Sequence, residues 1–221
     1  MKQKTALIVG ATGLIGNELL QILLNKSEYK KVIAIVRKPL GISHSKLEEK
    51  VIDFDQLDES LINFEVDDVF SCLGTTIRKA KSQEVMRKVD VTYPLTIARL
   101  TRKMGAKQFL FVSSLSANAQ SSNFYLRIKG ELEEEVSQIN FDSVTIFRPS
   151  LLMGKRQEFR LGEKSAEVFY TALSVFFIGP LKKFKAIQGR TVANAMFKAA
   201  QLDHNGVTIY PSDKIEGLGK S

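Results

Sequence analysis

Tyr125 and Lys129 stand four residues apart in Asn123-Phe124-Tyr125-Leu126-Arg127-Ile128-Lys129-Gly130-Glu131, a spacing that puts both side chains on one face of a helix. A lysine ammonium beside a phenol favours the phenolate and lowers a pKa that is otherwise about 10. That pairing lets a tyrosine exchange protons near neutral pH, as a general acid or base must. Ser114 closes the apolar run Phe109-Leu110-Phe111-Val112 and is placed to hydrogen-bond the same substrate oxygen. A tyrosine and a lysine at this spacing are common on helices. After a strand that ends in two serines, in a chain that opens on a glycine-rich turn, they specify more.

That turn is Gly10-Ala11-Thr12-Gly13-Leu14-Ile15-Gly16, which follows Ala6-Leu7-Ile8-Val9 and opens a segment with apolar residues from Leu14 to Leu24. Strand, glycine-rich turn and helix in this order form a phosphate-binding corner. Glycine allows the tight turn and leaves no side chain in the way, while the helix N-terminus offers free N–H groups and partial positive charge. Gly10, Thr12, Gly13, Leu14 and Ile15 are therefore the expected pyrophosphate contacts of a dinucleotide. Where the second strand ends, an acidic residue would favour the 2'-hydroxyl of NAD(H). This chain has Arg37-Lys38, which can fork onto a 2'-phosphate, so NADP(H) is preferred over NAD(H). Asp53-Phe54 should lie beside the adenine, Asp53 accepting from its amine or simply capping a turn. At the end of the fourth strand, Cys72-Leu73-Gly74 forms a small-residue turn where open α/β sheets bind ligands, and Gly74 lets the backbone approach the cofactor. Cys72 reads as a buried, inert thiol.

To position these residues the chain needs a sheet. Strands are expected at Thr5–Val9, Val32–Val36, Lys50–Asp53, Asp68–Cys72, Gln108–Val112, Ser143–Phe147 and Val207–Tyr210. Helices are expected at Leu14–Asn25, at 82–104 with an interruption near Pro94, and at Ser122–Ile139, Ser165–Ile178 and Thr191–Leu202. Pro94 starts or kinks a helix because it has no N–H to donate. Apolar strands alternating with helices predict an α/β, doubly wound, mostly parallel sheet with helices on both faces. The 221 residues read as a single domain, 1–221, with a small substrate-side portion from about 154–190.

Composition narrows the classes. The longest uncharged apolar run, Val168–Gly179, is too short to cross a bilayer, and no secretory leader is read at the start. One cysteine permits no internal disulfide, so a reducing, cytoplasmic location is expected. The net charge of +8 suits anions in general. Lys182-Lys183-Phe184-Lys185 has the look of a nucleic-acid patch, but without a nucleic-acid fold such a partner is not expected. His44 and His204 lack metal-ligand spacing, so neither a metal site nor a Ser-His-Asp hydrolase is expected. Glu131, Glu133, Glu134 and Glu135 read as a solvated helix face. The stripe from Val168 to Phe177 reads as cover for the cofactor cleft.

The glycine turn, Ser114, Tyr125-x-x-x-Lys129 and Arg148-Pro149-Ser150-Leu151-Leu152-Met153-Gly154 together resemble a short-chain dehydrogenase/reductase (SDR) of the extended or atypical branch, a Rossmann fold. Ser71-Cys-Leu-Gly-Thr-Thr, Asn123-Phe-Tyr-Leu-Arg-Ile-Lys-Gly-Glu and Phe147-Arg-Pro-Ser-Leu-Leu are most similar to the Tat-interacting-protein oxidoreductase-like group, and the likeness covers nearly the whole chain. It implies Tyr125 as general acid or base, Lys129 also on the nicotinamide ribose, and Ser114 orienting the substrate. It further implies NADPH contacts from Arg37, Lys38, Leu73, Gly74, Leu152 and Arg160. Asp90 stands where the family often has an asparagine of the proton relay. Two functions follow as expectations. One is an NADPH-dependent reductase of a small carbonyl or alcohol substrate. The other is an NADP(H)-binding regulatory or sensor protein, with a protein partner and no turnover of its own. Either would be a monomer or homodimer.

Overall fold

The computed structural model describes residues 3–58, 64–154, 185–202 and 204–221. Seven strands form one parallel sheet: β1 (Lys4–Val9), β2 (Tyr29–Val36), β3 (Leu47–Val51), β4 (Asp68–Ser71), β5 (Gln108–Val112), β6 (Ser143–Arg148) and, after two short strands, β9 (Gly206–Pro211). Their order is β3-β2-β1-β4-β5-β6-β9. In β1 every residue from Ala6 to Val9 is buried, because an all-parallel sheet is covered on both faces and each side chain needs an apolar neighbour. The chain leaves β1 toward β2 and returns on its other side to β4. That reversal opens a crevice at the carboxyl ends of β1 and β4, the place where such sheets bind ligands.

One face is covered by α1 (Leu14–Asn25) and α6 (Gly189–Ala199), which bury Leu19, Leu20, Leu23, Val192 and Met196 against Ile8, Ala34 and Leu110. Each leucine so buried is worth about 1.5–3 kcal/mol, enough for the apolar stripe to fix the orientation of α1. The other face carries α4 (Tyr93–Lys103) and α5 (Phe124–Ser137), with Ile97, Ile128 and Leu132 packed on Phe109 and Phe111. A C-terminal helix, α7 (Ser212–Lys220), and a two-stranded ribbon of β7 (Leu152–Met153) and β8 (Ile187–Gln188) complete the described residues.

Several expectations shift. β2 starts at Tyr29, whose ring is buried, and β3 ends at Val51 rather than Asp53. The 82–104 segment resolves into α3 (Gln83–Arg87), a π turn over Lys88–Thr92 and α4, preceded by the short α2 (Ile77–Ala80). Pro94 lies in the first turn of α4, and just before it the Tyr93 N–H reaches back five residues to the Lys88 carbonyl. The proline cannot donate, so the ladder widens by one residue where the donor is missing. α7 and the ribbon are absent from the sequence reading. The expected helix Ser165–Ile178, the stripe within it, the basic cluster 182–184 and most of 154–190 lie outside the described residues. No described helix is long and apolar enough to cross a membrane.

Candidate functional site

The glycine turn is built by contact. A Cβ at Gly10, whose φ is +79°, would stand 2.5 Å from the Cys72 carbonyl carbon, and one at Gly16 would stand 2.1 Å from the Gly10 oxygen. Gly13 caps α1 with no side-chain hydrogen bond, and no acidic residue occupies the first turn. The uncapped N–H groups and the helix field fit a pyrophosphate. The Ile15 side chain is in the core, and Leu14 packs so closely that Cβ atoms at Gly154 and Gly189 would meet it at 2.6 and 2.8 Å. These residues therefore offer backbone to a ligand. Thr12 is exposed.

At the far end of the crevice Arg37 and Lys38 are exposed just past β2. The Asp53 Oδ1 accepts from the Asp55 N–H at 3.0 Å, the turn-capping role, while the Phe54 ring is buried 5.4 Å from the Tyr93 ring. The Tyr93 hydroxyl donates to Asp55 at 2.6 Å, and Lys88 pairs with the same carboxylate at 2.8 Å. Partial burial and then Asp55 push the Tyr93 hydroxyl up to about 12.

The three expected catalytic residues lie on α5 and just past β5. Lys129 is buried, and its Nζ lies 2.7 Å from the Asp90 Oδ1. The other Asp90 oxygen accepts from the Thr75 N–H at 2.9 Å. A Cβ at Gly74 would come within 3.5 Å of Asp90 and 3.8 Å of Lys129, so the turn after β4 lies directly over the pair. Burial works against the ammonium, but Asp90, then Tyr125 and Glu133, outweigh it and hold the lysine pKa above its ordinary value. Tyr125 is half-buried one turn earlier on α5, packed against the core. Ser114 is half-buried just past β5, its Oγ 3.4 Å from the Leu115 carbonyl.

The loop that carries Ser114 rests on the α5 backbone because Gly130 admits it. A Cβ there would lie 2.1 Å from the Ala119 nitrogen, and the Asn118 N–H donates to the Leu126 carbonyl at 3.0 Å. Sequence reasoning passed over Gly130, although a glycine inside a helical pattern is a packing signal. It also passed over Ser113, whose buried Oγ has no hydrogen-bond partner among the described residues. The glutamate face is corrected at Glu133, which is buried and bound by Arg148, with Nε to Oε1 at 2.9 Å; Glu134 is exposed, and Glu131 and Glu135 pair with Arg87 and Arg99. A fork-like guanidinium fifteen residues along the chain explains why a carboxylate survives there. Cys72 is half-buried, its sulfur 4.0 Å from that of Met196, and burial pushes its thiol up to about 12. Leu152 sits in β7; Arg160 lies outside the described residues.

Residues 6–211 match the NAD dependent epimerase/dehydratase family. Protein HTATIP2 of Rattus norvegicus is 40% identical over 177 residues, covering 78% of this chain and 73% of that protein, in keeping with the resemblance to the Tat-interacting-protein group. Protein FMP52, mitochondrial, of Candida glabrata is 30% identical over 223 residues, covering 98% of this chain and 94% of that protein. Among solved structures, the Bordetella bronchiseptica enzyme WbmH in complex with NAD+ superposes with a TM-score of 0.71 at 16% identity, covering 99% of this chain and 80% of the other, and supports the fold. The cytoplasmic expectation is overturned, since fungal relatives 30–33% identical are named as mitochondrial proteins. A lone cysteine speaks for a reducing environment and does not say which one.

Proposed function

We propose that this chain, which belongs to the NAD dependent epimerase/dehydratase family, is an NADP(H)-dependent oxidoreductase that reduces a small carbonyl compound. The observation that carries this reading is a buried, ion-paired lysine one helical turn from Tyr125, directly beneath the Gly74 turn at the switch point of the sheet. In this reading the backbone from Gly10 to Ile15 holds the pyrophosphate, Arg37 and Lys38 hold the 2'-phosphate, and Asp53 and Phe54 flank the adenine. Leu73, Gly74 and Leu152 border the nicotinamide half. When bound, the reduced nicotinamide supplies a hydride. Tyr125 donates its hydroxyl proton to the carbonyl oxygen, Ser114 donates a hydrogen bond to that oxygen, and Lys129 holds the ribose. In the reverse direction the tyrosine takes the proton back.

The test is NADPH oxidation across a panel of aldehydes and ketones, with Tyr125→Phe alongside. The variant should keep its NADPH affinity and lose turnover by about 100-fold or more, the loss expected for a positioned acid. Turnover at the wild-type rate would refute Tyr125 as the acid. A wild-type protein that binds NADPH tightly yet oxidises it with no carbonyl would instead be an NADP(H)-responsive binding protein.

A further inference from the structure

Asp90 is fully buried beside the lysine, within the π turn over Lys88–Thr92. A single wide turn rotates the residues after it relative to those before it, and such turns often aim a functional side chain. Here it sends a carboxylate inward to meet groups from two other elements. Oδ1 lies 2.7 Å from the Lys129 Nζ on α5, and Oδ2 accepts the Thr75 N–H at 2.9 Å from the turn after β4. The Gly74 backbone closes the space above both side chains, with Cβ distances of 3.5 and 3.8 Å. The charged groups facing Lys129 are Asp90 from the π turn and Tyr125 and Glu133 from its own helix, and Glu133 is already bound by Arg148. Gly74 and Thr75 bring backbone only.

We propose that Asp90 is a positioning residue whose two oxygens join the Lys129 ammonium to the Thr75 backbone, so that the charge of the lysine and the seat of the nicotinamide-side turn are set together. The part of this concerning cofactor rests on the assignment of Lys129 to the ribose given above. A buried ammonium left alone loses its proton readily. With the carboxylate beside it, Lys129 remains a cation through the range in which the protein works. A neutral amide at position 90 would keep the shape and the Thr75 hydrogen bond but not the charge.

Asp90→Asn and Asp90→Ala separate the two jobs. In protein labelled at the lysine Cε, the Lys129 resonance of Asp90→Asn should titrate with a midpoint about one pH unit or more below the wild type, reflecting the lost charge partner. Thr75 amide exchange should remain slow in Asp90→Asn and speed up in Asp90→Ala, which removes the acceptor. Wild-type NADPH affinity should stay flat as pH rises until the lysine begins to titrate, and that of Asp90→Asn should begin to fall about one pH unit or more earlier. If Asp90→Asn does not fold, Asp90→Asn with Lys129→Met, which removes both charges, should fold and melt above Lys129→Met alone. An unmoved lysine midpoint together with unchanged Thr75 exchange in both variants would overturn the proposal, as would a double variant no more stable than Lys129→Met. A moved midpoint in Asp90→Asn, with a wild-type protein that binds no NADPH, would uphold the Asp90–Lys129 coupling and overturn the proposed function.

Discussion

Lys129 and Asp90 illustrate how little a side chain's type says without its surroundings. Each is a charge that a protein interior ordinarily expels, and together they persist because the contact is 2.7 Å and a backbone N–H serves the second carboxylate oxygen. Removing one partner is therefore costly. Lys129→Ala should destabilise the protein by about 3–5 kcal/mol, the penalty for an uncompensated buried charge, and adding Asp90→Asn should restore much of it; chemical denaturation of the two variants measures both. The sign for pH follows from the raised lysine pKa. Its stabilising contribution is fully present below the unfolded lysine value and is lost only as pH rises through the higher folded value. Arg37 and Lys38 are the opposite case, exposed charges whose worth depends on a ligand. Replacing both with glutamine should weaken NADPH binding by about tenfold or more, the scale of one charge-assisted hydrogen bond, and leave NADH binding nearly unchanged. Equal losses for the two cofactors in a fluorescence titration would remove the 2'-phosphate assignment.

Among the elements, α5 does the most to assemble the site. Its capping Asn123 accepts from the Leu126 N–H, its apolar face buries Ile128 and Leu132, and its register then brings Lys129 to Asp90, one turn after Tyr125. Gly130 lets the loop that follows β5 rest on the helix backbone. A methyl there meets backbone atoms at 2.1 and 2.3 Å, which no rotamer change relieves. Gly130→Ala should lower stability by about 1–3 kcal/mol, as overpacking does. Because the displaced loop carries Ser114, carbonyl turnover should fall more than NADPH affinity. A variant with unchanged turnover would show that the loop's seat on α5 is irrelevant to the chemistry.

Across the whole molecule, the amino ends of the strands are closed by a different polar group. Tyr29 donates to Asp68 at 2.6 Å, and Lys4 reaches the same carboxylate at 3.1 Å and the Ala200 carbonyl at 3.0 Å. Burial, which outweighs the Tyr29 and Lys4 contacts, raises the Asp68 pKa above the ordinary carboxylate value. The folded state then holds a proton that the unfolded state has released, so this residue's effect on stability becomes unfavourable as pH climbs from about 4 through the folded value. Asp68→Asn should flatten that part of the urea-unfolding profile, and an unaltered profile would show that the carboxylate is ionised throughout. Tyr29→Phe, by contrast, should cost about 1.5–3 kcal/mol because it takes a hydrogen bond from a buried carboxylate.

The doubly wound sheet was legible in the amino-acid sequence because the information is local. Continuous apolar runs such as Ala6–Val9, short and closed by a glycine turn, read as strands buried on both faces, glycines at 10, 13 and 16 meet where strand and helix must touch, and a four-residue interval puts Tyr125 and Lys129 on one side of a helix. Where β3 ends, what Glu133 binds and where Asp90 points were not legible. Glu133 reads as solvated until the Arg148 guanidinium at the end of β6 is brought over α5. Asp90 reads only as a replacement for the family's relay asparagine until the π turn before Pro94 brings it inward onto Lys129. These contacts join groups fifteen or more residues apart, and their existence depends on strand order and helix phase, which are properties of the packed chain.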